Sequence, residues 1–260
     1  MIILNERKWA EEIIATHELG KEKYRALCAV ARYYMEQGYT KKEAREALEK
    51  FLLECDPTIS IPKWSKTIDY AVVAGTRYKS IQIDSIKVTK EELDVISKIE
   101  SMPVQRLAFT LLCLAKYWVA VNPETDYWIN NKDSEIMRIA NINTSIKRQS
   151  FMYNELGEMG LIQFSKKVDN TNVRVTFATE GETVIEIKDF DNLGYQYMKY
   201  KGLPYFTCEI CGRTLRRRNP KKGRKQKYCD ECAMKRKLQQ NVESVMRKKQ
   251  READNEHKDE

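Results

Sequence analysis

Four of the seven cysteines fall in two Cys-x-x-Cys pairs, Cys208-Glu-Ile-Cys211 and Cys229-Asp-Glu-Cys232, with seventeen residues between them. Each pair can place two thiolates on one side of a tight turn, and the intervening length suits a hairpin that brings the turns together. This is the ligand spacing of a four-cysteine zinc site. It predicts one structural Zn2+ on Cys208, Cys211, Cys229 and Cys232. Four thiolates leave no open coordination position, so such a metal would hold a small fold together and would not activate water. Four free or disulfide-bonded cysteines are the competing arrangement. Gly212 suits the close turn after the first pair, and the run Tyr228 to Leu238 reads as helical, so the second pair opens a helix.

Between the pairs lie Arg213, Arg216, Arg217, Arg218, Lys221, Lys222, Arg224, Lys225 and Lys227, nine cations in fifteen positions with no acid among them. Such a cluster repels itself, and a polyanion relieves the repulsion while releasing its own counterions. Part of the charge offsets the net negative charge of a zinc held by four thiolates, but nine cations exceed that need. Residues 201–260 carry 18 Lys and Arg against 9 Asp and Glu, so the +8 of the whole chain resides at this end. Lys235-Arg236-Lys237 and Arg247-Lys248-Lys249 extend the basic surface along the helix. The pattern points to nucleic acid; a solvated basic tail is the alternative.

Other chemistries lack their residues. The chain has two histidines, His17 and His257, and no glycine-rich phosphate loop or His-x-x-x-His pair. His17 stands at an expected helix end, where a capping or surface role is the reading. No enzyme is expected. Cys28, Cys55 and Cys113 lie in apolar helical patterns and read as small buried hydrophobes. The apolar run at the N-terminus is too short for a signal peptide, and nowhere do about eighteen apolar residues follow one another. A soluble protein of a reducing compartment, with no membrane partner, is expected.

The elements that must position these residues read as mainly α, with some β. In residues 1–80, Trp9, Ile13 and Ile14 begin one amphipathic helix, and Tyr24, Leu27, Val30 and Tyr34 continue in a second. Thr40 with Glu43 has the capping-box pattern and opens a third, which stops before Pro57, and Ser60-Ile61-Pro62 starts a fourth. Residues 79–92 read as a linker into a second domain, 81–190, whose apolar stretch Leu107 to Val121 is a core helix. Tyr195, Tyr197, Met198 and Tyr200 fit either a helix or a strand. A zinc module with a basic helix follows over 191–250, and 251–260 reads as a disordered tail.

The second domain has the layout of a winged helix-turn-helix. A helix over Asp133 to Ala140 and the turn Asn141-Ile142-Asn143 lead to a second helix, capped by Thr144 or Ser145 and running to about Met159. Leu161 to Phe164 and Val173 to Phe177 are then two strands joined by a polar wing loop. Ile146, Met152, Leu156 and Met159 are expected on the inner face of the second helix, with Ser145, Lys147, Arg148 and Asn154 outside. Thr144, Ser145, Lys147, Arg148 and Gln149 would meet bases or phosphates of a major groove, and Lys166, Lys167 and Arg174 adjacent phosphates. Winged helices also serve as protein-binding or dimerisation units.

Glu155-Leu156-Gly157-Glu158-Met159-Gly160-Leu161-Ile162 resembles the junction of recognition helix and wing in bacterial winged helix-turn-helix proteins. The order of a Gly-Tyr-Thr helix start, a Pro-x-x-Ser restart and a helix with Trp64 and Ile68 is similar to the small helical domain that follows the catalytic part of some phage and plasmid primases. That likeness implies a replication setting; a packing or oligomerisation role is its alternative. Ala140-Asn-Ile-Asn-Thr-Ser-Ile-Lys-Arg-Gln149 and Tyr228-Cys-Asp-Glu-Cys-Ala233 resemble uncharacterised bacteriophage and prophage proteins that join a winged helix-turn-helix to a C-terminal zinc ribbon or treble-clef-like module. The resemblance implies the cytoplasm of a bacterial host cell. The expectation is a phage-type nucleic-acid-binding protein, a transcriptional regulator or replication accessory, favouring duplex DNA. The alternative is a phage inhibitor or adaptor that engages a host protein or a nucleoprotein defence complex.

Overall fold

A computed structural model describes residues 2–166, 172–218 and 225–256. The protein is mainly helical, with small sheets. Its elements run α1 (Glu6–Thr16), α2 (Lys23–Glu36), α3 (Lys41–Cys55), α4 (Ile61–Arg77), β1 (Ile86–Thr89), α5 (Lys90–Ser97), α6 (Met102–Val121), β2 (Trp128–Ile129), α7 (Asp133–Ile139) and α8 (Ile146–Glu158). The chain continues through β3 (Ile162–Phe164), β4 (Val173–Val175), β5 (Thr183–Ile187), α9 (Leu193–Tyr200), β6 (Tyr205–Thr207), β7 (Thr214–Arg216) and α10 (Asp230–Glu256). Helical backbone therefore extends to Glu256, past the boundary that the sequence reading draws at 250; residues 257–260 lie outside the described ones.

The residues group into two compact units. One comprises 1–90, 113–128 and 178–190, and the other 91–112, 129–177 and 191–260. The sequence reading divides the chain into consecutive blocks, and it takes 79–92 as a linker. Instead, β1 pairs antiparallel with β5, nearly a hundred residues later, with Ile86 opposite Ile187 and Val88 opposite Ile185. Ile86, Val88 and Ile187 are buried, so the polar stretch hides a strand whose partner is too distant for local pattern to reveal.

In the first unit, α1 to α4 pack around Leu27, Val30, Leu48, Phe51, Leu52 and Ile68, all buried. Helix starts follow side-chain chemistry. Asn5 Oδ1 accepts the Lys8 N–H at 2.9 Å, and Thr40 and Glu43 form the reciprocal capping box. The Thr40 backbone N–H donates to the Glu43 carboxylate at 2.7 Å, and this bond, helped by the Thr40 side chain, holds the carboxyl below its usual range. Gly75 lets α4 approach α2, since a Cβ there would stand 3.1 Å from the Ala31 carbonyl carbon and the Arg32 nitrogen. His17 caps α1 at φ 55°, its ring stacked on Phe51 and its Nε2 3.3 Å from a Glu54 carboxylate oxygen.

In α6, Leu107, Ala108, Phe109, Leu111, Leu112, Leu114 and Ala115 are all fully buried. Among the described residues it is the helix long and apolar enough to cross a membrane, but its residues have the burial of a core helix.

In the second unit, α7 and α8 are joined by a short turn in which Asn141 adopts φ 55°. Ser145 is the N-cap of α8, its Oγ accepting the Arg148 N–H at 3.3 Å. β3 and β4 pair antiparallel with Ile162 opposite Val175 and Phe164 opposite Val173, in a sheet of order β2-β4-β3. Gly160 makes the turn into β3 at φ 70°, a conformation cheap only for glycine.

The expected inner face of α8 is half right. Met152 and Leu156 are buried, together with Tyr153, whose hydroxyl is 3.3 Å from an Asp133 carboxylate oxygen. Ile146 is 81% exposed and Met159 45% exposed. Ile146 is the first residue of the helix, a turn ahead of the packed stretch, and Ile142 from the preceding turn takes the buried position. Met159 caps the helix, and Leu161 fills the space beyond it.

α9 settles the ambiguous tyrosine-rich segment as a helix. A Cβ on Gly194 would lie 1.9 Å from the Ala140 carbonyl oxygen, so only glycine allows α9 to meet the α7–α8 turn this closely. Asn141 fastens the contact: its Nδ2 donates to Asn192 Oδ1 at 2.8 Å, and its Oδ1 accepts the Tyr195 N–H at 3.2 Å. Tyr197 is fully buried, stacks near Phe109 and donates its hydroxyl to Gln105 Oε1 at 2.8 Å.

Candidate metal centre and basic surface

The cysteine cluster is built on the β6–β7 hairpin and the first turn of α10. β6 and β7 pair with Tyr205 opposite Arg216 and Thr207 opposite Thr214, so Cys208 leaves the hairpin at its closed end. The turn is tied by the Cys208 N–H to the Arg213 carbonyl at 2.9 Å and by the Gly212 N–H to the Cys208 carbonyl at 3.0 Å. Gly212 adopts φ 71°, the left-handed conformation that explains glycine directly after the first pair. Cys229 immediately precedes α10, with its carbonyl accepting the Ala233 N–H at 2.8 Å, and Cys232 lies in the first turn. The Glu209 N–H donates to the Lys227 carbonyl at 3.0 Å and joins the two halves.

This arrangement gathers the four sulfurs within 4.8 Å of one another. Cys211 Sγ and Cys229 Sγ are 3.8 Å apart, which is the edge of a tetrahedron with metal–sulfur bonds of about 2.3 Å. None of the four is in a disulfide. Cys208, Cys229 and Cys232 are buried against Leu215 and Tyr228, while Cys211 is exposed.

Donors already point at sulfur. The Cys229 N–H is 3.4 Å from Cys208 Sγ, the Cys232 N–H is 3.5 Å from Cys229 Sγ, and Arg213 Nε is 3.5 Å from Cys211 Sγ. Burial alone would raise the Cys208 thiol, but backbone N–H groups of Cys211, Cys229 and Ile210 outweigh it and bring the group down to about 6. Cys232 is pushed up to about 12, first by its bond to Cys229, then by burial and the neighbouring sulfurs. The donor set fits a metal ion held by four thiolates.

The module is anchored to the rest of its unit through α9. Tyr195 and Tyr205 have ring centroids 4.9 Å apart, and Lys199 Nζ donates to Thr207 Oγ1 at 2.8 Å. One helix thus contacts the α7–α8 turn at its start and the β6–β7 hairpin along its length.

The predicted cations divide into two groups. Arg213 pairs with Glu231, Arg218 with Asp230, and Lys227 with Glu209 at 3.4 Å. These acids are the interior residues of the two Cys-x-x-Cys pairs, so a count restricted to the loop between the pairs misses them. Their signal was present in the motifs themselves. The bonds of Arg213 to the Cys211 sulfur and to Glu231 raise its pKa further above its ordinary value. Arg216 and Lys225 are exposed and Arg217 is half-buried. Lys221, Lys222 and Arg224 lie outside the described residues, as does Lys167 of the expected wing.

On α8, Ser145, Lys147 and Arg148 are exposed, as are Ile146 and Asn154, whereas Thr144 and Gln149 are half-buried. Gln149 spends its amide N–H on the Thr144 carbonyl at 3.1 Å. Lys166 is exposed at the end of the hairpin strand, and Arg174 is half-buried within β4. Ser145 to Arg148 form one exposed turn of helix, and Ile146 is the member of it that the sequence reading assigned to the core. Compared with protein-family models, curated proteins and solved structures, the chain shows no significant match.

Proposed function

We propose that this is a DNA-binding protein in which α7, α8 and the β3–β4 hairpin act as a winged helix, and a single structural zinc organises a basic module beside it. The observation that carries the reading is the exposed first turn of α8. Ser145, Ile146, Lys147 and Arg148 leave the body of the protein together, with two cations and an 81% exposed isoleucine in four consecutive residues. A helix entering a major groove needs this combination: cations for guanine edges or phosphates, a hydroxyl at the N-terminus, and an apolar group for a thymine methyl.

The exposed Arg216 and Lys225 would add affinity that is independent of sequence. The zinc would be held by Cys208, Cys211, Cys229 and Cys232 and would supply rigidity to the hairpin and to the start of α10. No catalytic step belongs to this reading. The setting proposed is the cytoplasm of a phage-infected bacterium, with the protein serving as a regulator or a replication accessory.

The test is fluorescence anisotropy of the full chain on random duplex DNA at about 50 and 200 mM salt, where several phosphate contacts change affinity by orders of magnitude. Arg148→Ala is expected to weaken binding about tenfold or more while zinc content stays at one per chain. Absence of duplex binding by the zinc-loaded protein at the lower salt would overturn the proposal.

A further inference from the structure

α10 spans twenty-seven residues, about 40 Å of helix, and leaves an apolar stripe bare. Met234, Leu238, Val242 and Val245 recur at steps of four and three residues, which places them on one side, and they are 54–66% exposed. At the start of the stripe the side chain of Ile210, on the first cysteine turn, is also 56% exposed. Together with Cys232, Lys235, Leu238, Gln239 and Val242 it lines a groove of about 760 Å3. Isolated apolar side chains at a surface mean little, but a continuous row of this length marks a contact face.

Nucleic acid is a poor cover for such a row, because phosphates reward cations and leave leucine and valine in water. Charge also selects among protein partners. Along the stripe, from 234 to 248, the helix carries Lys235, Arg236, Lys237, Arg247 and Lys248 with Glu243, which is 3.3 Å from Arg247; its other acids, Asp230, Glu231, Glu252, Asp254 and Glu256, stand at its two ends, beyond the stripe. In a parallel pair of α10 helices each basic cluster would face its own copy. In an antiparallel pair centred on Val242, Lys235 to Lys237 would face Arg247 and Lys248. These two alignments bring like charges together, which opposes self-pairing in those registers.

We infer that α10, with Ile210 at its start, is the docking face for an acidic amphipathic helix of another protein. The partner's apolar residues would cover Leu238, Val242 and Val245, and its carboxylates would lie along the flanking lysines. This surface is separate from the exposed turn of α8, so its success or failure does not depend on DNA binding.

The experiment uses the full zinc-loaded chain and a fluorescein-labelled synthetic helix of about four heptads, with Leu at the a and d positions and Glu at e and g, beside a matched peptide with Lys in place of Glu. Saturable binding of the Glu peptide at about 150 mM salt is expected, with no binding of the Lys peptide. Because both side chains are exposed, the double variant Leu238→Ser/Val242→Ser keeps its zinc and its duplex affinity, and it should lose at least about thirtyfold in peptide affinity. No binding of the Glu peptide, or equal binding by the double variant, would overturn the inference. So would a wild-type dimer in sedimentation that the double variant dissolves, since a second copy would then cover the stripe, or loss of duplex affinity in the double variant, which would assign the face to DNA.

Discussion

Replacing Cys229 with serine removes the candidate ligand that stands at the junction of the cysteine cluster and α10. Its sulfur is 3.8 Å from Cys211 Sγ, accepts the Cys232 N–H at 3.5 Å and lies within 4.0 Å of an Arg213 nitrogen, which puts it at the centre of the cluster. The size of the effect follows from what else supports the module. Among its described residues, the buried apolar side chains besides the cysteines amount to Phe206, with Leu215 and Tyr228 part-covered. Each contributes about 1.5–3 kcal/mol if fully buried, whereas a structural zinc in a small peptide contributes about 10–16 kcal/mol in apparent binding free energy. A zinc held there would be the larger support, and Cys229→Ser should then unfold residues from about Tyr205 to the start of α10 while α1 to α4 stay folded. Zinc measured by metal analysis should fall from one per chain to near zero, and limited proteolysis should cut first between β6 and α10. A variant that retains one zinc, or that resists proteolysis there as well as the parent does, would refute the assignment of the four ligands. Wild-type protein that takes up no zinc would refute it more directly.

Three further outcomes follow from other contacts. Asp230→Asn removes the acid paired with Arg218, so the salt dependence of duplex binding should steepen by about one counterion; an unchanged slope would show that this pair does not mask the loop. Gly194→Ala puts a Cβ 1.9 Å from a backbone oxygen with no room to move, and a loss of about 2–3 kcal/mol in denaturant melts is expected; an unchanged midpoint would contradict the α9 contact. Glu43→Gln should destabilise the protein at pH 7. The Glu43 carboxyl is held below its usual range in the folded state, so its contribution is fully present above the unfolded carboxylate value near pH 4.3 and is lost as pH falls through the lower folded value. The gap between variant and parent should therefore close on acidification below about pH 4, and a gap that widens there would reverse the sign of the argument.

What the sequence determined by itself is local. Cys208, Cys211, Cys229 and Cys232 declare through their spacing a cluster of four cysteines able to hold a metal, and Thr40 with Glu43 declares a helix start. Ser145 begins α8 and Gly160 ends it, because a cap or a left-handed turn involves only three or four neighbouring residues and is written where it acts. Tertiary structure decided everything that depends on a distant partner. The polar stretch before α5 became β1 because Thr183–Ile187 supplies its hydrogen bonds, and the tyrosine-rich segment became α9 because Gly194 and Asn141 dock it on the α7–α8 turn. Ile146 shares the apolar pattern of α8 but stands exposed among the described residues, and the charges of Arg213, Arg218 and Lys227 are offset by acids that folding brings across the cysteine turns. Periodicity specifies which side chains share a face; only the packed chain specifies whether anything covers that face or neutralises it.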